Sequence, residues 1–204
     1  IFTKTAQERV QQYINEAIED RRLSPQEDLE LQKICESLGA EINLDSESKA
    51  TLEKFRLFWQ IENGDVPTIE PDINLHRNEL CYFKTDVGWW EYRKQTKRIR
   101  YGGLTARVKI AKGLYIRAGD LGIKPVSEDV FVQLDSGLIY LTNKRVIFRG
   151  TKKNKTIRIP KILTITPYKN GVDIEKDTGK SPFLDFSKNI DLFCIILNRA
   201  MLDY

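Results

Sequence analysis

The sequence predicts an α+β protein: a small N-terminal three-helix bundle followed by a bent antiparallel β-sheet that a C-terminal α-helix caps. Three observations carry this. Apolar residues recur at helical spacing between Val10 and Trp59 and again between Ile190 and Met201. The stretch Gly137 to Gly150 instead holds two β-branched, aromatic and apolar runs around Thr142-Asn143-Lys144-Arg145, which reads as a β-hairpin with a tight turn. The charge also divides unevenly, with 8 Lys/Arg against 14 Asp/Glu in residues 1–65 and 25 against 15 in residues 66–204. That asymmetry sets a boundary near residue 65 and lets an acidic half attract a basic one.

In chain order, Val10, Tyr13, Ile14, Ala17 and Ile18 make a first amphipathic helix over residues 5–20. Ser24-Pro25-Gln26-Glu27 is a capping box with Pro at the first helical position, so a second helix runs from Pro25 to Ser37 and buries Leu29, Leu31, Ile34 and Leu38. Gly39 stops it. A third begins at Asp45 or Ser46 and carries Ala50, Leu52, Phe55, Phe58 and Trp59 inward until Asn63-Gly64 breaks the pattern. Residues 66–78, rich in Pro, Asp and Asn, read as a linker to a β domain over 79–204.

In that domain Leu80–Phe83 and Val87–Tyr92 read as strands, with Trp89 and Trp90 on opposite faces. Residues 106–110 and 114–117 alternate as strands. Asp135-Ser136 looks like a turn that separates a strand over 130–134 from the one beginning at Gly137. Later strands cover 155–159, 162–166, 172–175 and 182–186, with Asn170-Gly171 and Thr178-Gly179 between the last three. The final helix has Asp185, Ser187 or Asn189 as candidate caps and should plug the mouth of the sheet.

Two stretches resemble known families. Gly-Leu-Ile-Tyr-Leu-Thr-Asn-Lys-Arg-Val-Ile-Phe at 137–148, then Lys155 to Pro160 and Ile162 to Ile165, is similar to the core of GRAM-type and bacterial pleckstrin-homology-like domains. Asn78-Glu79 resembles the Gly-Glu that opens such modules, with Asn in place of Gly. This resemblance implies a seven-stranded bent sheet capped by a C-terminal helix, and binding rather than catalysis. Residues 85–127 look like an insertion or a divergent first sheet. The join Glu19 to Glu27 resembles the turn of tellurite-resistance-B-like helical domains, itself similar to a calcium-binding EF-hand. Calcium chemistry does not fit: aligning Glu16, Ile18 and Asp20 with the first three ligand positions leaves one apolar, and Arg21 stands where Gly is needed.

Catalytic parts are missing from the sequence. It has one histidine, His76, no Gly-x-Ser-x-Gly, and three scattered cysteines, Cys35, Cys81 and Cys194, too far apart for a zinc site. No phosphate loop follows Gly102-Gly103, and the adjacent carboxylates Glu128 and Asp129 diverge on a strand. No cofactor or metal is expected. Unpaired thiols favour a reducing compartment, so the chain reads as cytoplasmic, at most peripheral to a membrane, with a segment expected upstream of Ile1.

The functional expectation is a non-enzymatic adaptor that binds a protein. The alternative is anionic-lipid binding through the basic turn formed by Arg149, Lys152, Lys153 and Lys155, whose ammonium groups and backbone N–H groups near Gly150 would hold phosphates. A third reading is single-stranded nucleic acid along Lys94, Lys97, Arg98 and Arg100.

Overall fold

The computed structural model describes residues 8, 12, 21–37, 46–98, 107–111, 114–117 and 125–204. The helices are α1 (Pro25–Ser37), α2 (Ser46–Asn63) and α3 (Ile190–Leu202). The strands are β1 (Cys81–Arg98), β2 (Arg107–Ala111), β3 (Leu114–Arg117), β4 (Pro125–Thr142), β5 (Arg145–Gly150), β6 (Asn154–Arg158), β7 (Ile162–Tyr168), β8 (Gly171–Lys176) and β9 (Phe183–Asp185). Seven of them form one antiparallel sheet in the order β6-β5-β4-β1-β9-β8-β7, and β2 pairs with β3. The helix expected over 5–20, and with it the comparison of Glu16, Ile18 and Asp20 with a calcium loop, lies outside the described residues except for Glu8 and Gln12, both helical.

Helix α1 begins as its capping box requires: the Ser24 N–H donates to Glu27 Oε2 (2.8 Å) and the Glu27 N–H to Ser24 Oγ (3.2 Å). Leu31 is buried, but Leu29 is half exposed. Two residues apart on a helix are about 200° apart around its axis, so Leu29 cannot share the inward stripe of Leu31. On α2, Leu52, Phe58 and Ile61 are buried, whereas Ala50, expected inside, is exposed. The helix packs against α3 through a Lys54–Asp191 ion pair (2.5 Å) and through Arg199 Nη1, which donates to the Glu62 carbonyl (2.6 Å). Ile61 is fully buried among the same core side chains as Phe83, Phe193 and Leu197. The hydrophobic core therefore runs across the change in charge near residue 65.

Two sequence expectations for the sheet are corrected. Residues 80–83 and 87–92 are not separate strands. From Cys81 on they belong to the single strand β1, because β4 pairs with it from Cys81↔Thr142 to Arg98↔Pro125, with a bulge at Trp89/Trp90. Nor does Asp135-Ser136 turn the chain. The buried Asp135 carboxylate accepts from Thr151 Oγ1 (2.6 Å) and from the N–H groups of Ser136, Lys152 and Lys153 (2.9, 2.8 and 3.0 Å). Its turn chemistry is used to fold the next reversal, between β5 and β6. Gly150 permits this approach, since a Cβ there would stand 2.2 Å from Asp135 Oδ2.

The β4–β5 turn is clamped to the segment that enters β1. Thr142 Oγ1 accepts from the N–H groups of Lys144 and Arg145 and lies 2.8 Å from Glu79 Oε1. Asn143 accepts from the Leu80 N–H (3.0 Å) and donates to the Asn78 carbonyl (3.2 Å). Lys144 Nζ donates to the Arg77 carbonyl, and Arg145 forks onto both oxygens of Glu79 (2.8 and 3.0 Å). Asn78 itself is left-handed, with φ 57°, a conformation glycine adopts at no cost and asparagine tolerates. Within residues 66–78, Val66 packs on the main core and Ile69 bridges to Cys81, whereas on the outer sheet face Ile73 and Leu75 cover Cys81, Tyr140 and Ile147, and Asp72 accepts from Lys84 and Tyr140.

Helix α3 packs on the sheet and inserts Phe193, Ile196, Leu197 and Ala200 into the core, where Phe193 meets Phe83 and Phe186 edge-on at 5.5 Å each. None of its candidate caps acts as one. Asn189 holds the N-cap position at φ 57° with no side-chain bond to the helix.

Burial alone would push the Glu79 carboxyl up, but the bonds from Arg145, the His76 N–H and Thr142 hold it at about 2, below the ordinary 4.5. The stabilisation from a depressed carboxyl is full above the ordinary value and drains away as pH falls toward the folded one. Glu79→Gln is expected to lower the unfolding free energy by about 3 kcal/mol at neutral pH, because it strands Arg145 against a neutral partner. Urea denaturation measures this loss, and the gap between wild type and variant should narrow as pH falls from 4.5 toward about 2.

Candidate functional site

Helix α3 packs on the sheet, with Phe193 against Phe83 at the start of β1. Farther along the same strand, Trp89 and Glu91 lead to a cleft of about 450 Å³ that opens between β1, β6 and β8. It is lined by Trp89, Glu91, Arg93, Lys155, Lys176 and Lys180, together with Thr156 and Ile157.

Glu91 organises the cleft. It occupies the inward row of β1, two residues after Trp89, and its side chain is 4% exposed. A carboxylate there must be paired. Its Oε1 accepts from Trp89 Nε1 (2.8 Å) and Lys155 Nζ (2.6 Å), and its Oε2 pairs with Arg93 (2.7 Å). Burial works to raise this carboxyl, but the hydrogen bonds from Lys155 and Trp89 outweigh it and hold the group below its ordinary value. Lys155 also lies 4.9 Å from the Trp89 ring centroid, over a ring that packs at 5.0 Å on Phe148. Lys180 donates to the Tyr92 carbonyl (2.7 Å). The lining thus carries four cations and one carboxylate, an excess of positive charge facing an opening.

The sequence-predicted basic residues are divided by this geometry. Lys155 belongs to the cleft, whereas Arg149, Lys152 and Lys153 are exposed on or beside the β5–β6 turn. The backbone N–H groups of Lys152 and Lys153, expected to receive an outside phosphate, are already bonded to Asp135, whose carboxyl is driven far below its ordinary range, chiefly by Thr151. The turn carries its own internal anion. In the stretch read for nucleic acid, Lys94 is exposed on β1 opposite Asp129, the side chains of Lys97 and Arg98 lie outside the described residues, and so does Arg100.

Sequence reasoning missed Glu91, Arg93, Lys176 and Lys180. A signal existed for the first: Val87, Trp89 and Glu91 alternate, and an acid in a core-facing row demands cations. Nothing local ties β8 to β1, so Lys176 and Lys180 carried none. Among the thiols, burial pushes Cys81 up and Cys194 up to about 11, away from the reactive thiolate. Among the described residues no cluster of His, Cys, Asp and Glu could hold a metal ion, and no helix is long and apolar enough to cross a membrane.

Compared with known proteins, the chain matches no family model and no curated sequence.

Asp135→Asn should weaken the carboxylate's hold on the turn without altering the cleft. Hydrogen exchange is expected to speed up at the Lys152 and Lys153 amides while those of β1 near Glu91 stay protected.

Proposed function

We propose that the chain is a binding module of pleckstrin-homology-like build that holds an anionic, phosphate-bearing lipid headgroup in the cleft around Glu91. The observation that carries this reading is the local excess of charge: Arg93, Lys155, Lys176 and Lys180 surround a single carboxylate in a space of about 450 Å³. Glu91 engages two of these cations, which aligns them and leaves Lys176, and the N–H groups of Lys180 not given to the Tyr92 carbonyl, to meet an incoming anion. Each basic group near an anionic surface contributes about 1 kcal/mol. Charge alone therefore gives weak attachment, and a headgroup entering the cleft adds charge-assisted hydrogen bonds.

Two features support the build. A bent seven-stranded sheet with a C-terminal helix in its core is what the resemblance implies. The residues that carry the resemblance, Asn78-Glu79 and Thr142 to Arg145, also bond to one another as a unit. Binding rather than catalysis fits the carboxylates best. Glu79 and Glu91 are engaged by cations and lowered, which makes each a poor proton acceptor near neutral pH. The expectation of a protein partner finds support on a different surface, the exposed aromatic face of the sheet.

Co-sedimentation with phosphatidylcholine vesicles, with and without a phosphatidylinositol phosphate, tests the reading. The protein should pellet with the anionic vesicles alone, and a soluble inositol phosphate should release it. Lys176→Ala with Lys180→Ala should weaken binding about tenfold or more, at about 1 kcal/mol per charge. Replacing Arg149, Lys152 and Lys153 together by Ala should matter less. No binding by the wild type, or none affected by the cleft substitutions, would end the proposal.

A further inference from the structure

The outer face of the sheet, on the side away from the core, carries a run of aromatic rings that no described helix covers. Trp90 and Tyr92 stand on β1, Phe131 on β4, Phe183 on β9 and Tyr168 on β7. Trp90 stacks on Phe131 at 5.2 Å and 21°, and Tyr92 meets Phe131 at 5.0 Å. Phe183 then links Phe131 to Tyr168 at 6.0 and 5.9 Å. Tyr92, Tyr168 and Phe131 are 63%, 52% and 40% exposed. From β4 to β7 is four strand spacings, about 19 Å, roughly the length of six extended residues. A face of this size and apolarity is characteristic of a binding surface.

The Trp90 indole nitrogen sits close to Gly88, where a Cβ would stand 3.0 Å from Trp90 Nε1 and 2.9 Å from Gln133 Nε2. The indole N–H is buried with no acceptor among the described residues, a cost that accompanies the ring's place in the aromatic run.

The charges nearest the rings on β8 and β9 are acidic, while the cations of this face, Lys84, Lys94 and Arg149, stand on β1 and β5. Asp173 is directly opposite Phe183 on the neighbouring strand, Glu175 is two residues along β8, and Asp185 faces Gly88 beside the indole. Asp173 is half-buried, and its carboxyl is pushed up by burial and by Glu175. Of the lysines on the same face, Lys84 is paired with Asp72, and Lys94 stands opposite Asp129. Carboxylates set between exposed ring faces suit a guanidinium, whose plane stacks on an aromatic ring while its edge N–H groups reach a carboxylate. Nucleic acid fits poorly here, since its phosphates would meet Asp173, Glu175 and Asp185.

We infer that this aromatic and acidic sheet face is a docking surface for an extended, arginine-bearing segment of a partner protein, separate from the basic cleft and of opposite charge preference. The experiment is calorimetric titration of the full chain with the capped peptide Gly-Arg-Gly-Arg-Gly-Arg and with its Glu counterpart, with the Trp90 indole N–H followed by NMR. The arginine peptide should bind saturably and shift that resonance, and the glutamate peptide should not. Asp173→Asn and Phe131→Ala, both at exposed or half-exposed positions, should each weaken binding about tenfold. Lys176→Ala, in the cleft on the other side of the sheet, should leave it unchanged. The inference is overturned if the arginine peptide does not bind at millimolar concentration, if both face variants bind it as the wild type does, or if the glutamate peptide or a single-stranded oligonucleotide binds equally well.

Discussion

The ion pair between the buried Glu79 and the half-buried Arg145 is the constraint from which the sheet takes its shape. Glu79 stands just ahead of β1, Arg145 opens β5, and β4 lies between those two strands. Joining the outer two through a bidentate pair sets the register of all three. Thr142 and Asn143 extend the junction by satisfying backbone groups at the turn and at the entry to β1. A buried pair is weak evidence of net stability, but removing one partner is costly, so the pair penalises any alternative register. A one-residue slip of β4 would also turn Ile139 and Leu141 outward.

With that register in place, two further carboxylates divide the basic residues of the β domain. Asp135 takes up the N–H groups of the β5–β6 turn, and Glu91 takes up Lys155 and Arg93 in the cleft. Each acid draws neighbouring groups inward, one to shape a turn and the other to leave a positively charged opening. The outer face instead groups aromatic rings with Asp173, Glu175 and Asp185 toward β8 and β9. A sheet covered on one side by its own helix can thus present surfaces of different chemistry on its two sides. The alternation of side chains along β1, with Glu91 inward and Trp90 and Tyr92 outward, produces this division within a few residues.

The N-terminal helices are joined to this sheet more closely than their composition suggests. Ile61 lies in the sheet's own core, and Arg199 of α3 donates to backbone carbonyls at the end of α2. Cationic capping of a helix C-terminus suits its exposed carbonyls and its dipole. The ion pair at this contact, Lys54–Asp191, sets the cation on the acidic half and the acid on the basic one, so net charge does not account for the contact, in which Ile61 is buried.

Much was legible in the sequence alone, because it depended on local chemistry. The capping box at Ser24 to Glu27, the extents of α1 and α2, the β4–β5 hairpin and the apolar stripe of α3 each arise from residues within a few positions of one another. Periodicity and turn preference suffice for those. Asp135 could not be read this way: its local context spells a turn, and only the return of Thr151 to Lys153 in space shows that it serves another segment. The same holds for the two lysines of the cleft and for the aromatic face, assembled from β1, β4, β7 and β9. Such groupings depend on which strands become neighbours, and strand order is settled by long-range pairing and core burial, not by the residues next to each one in the chain.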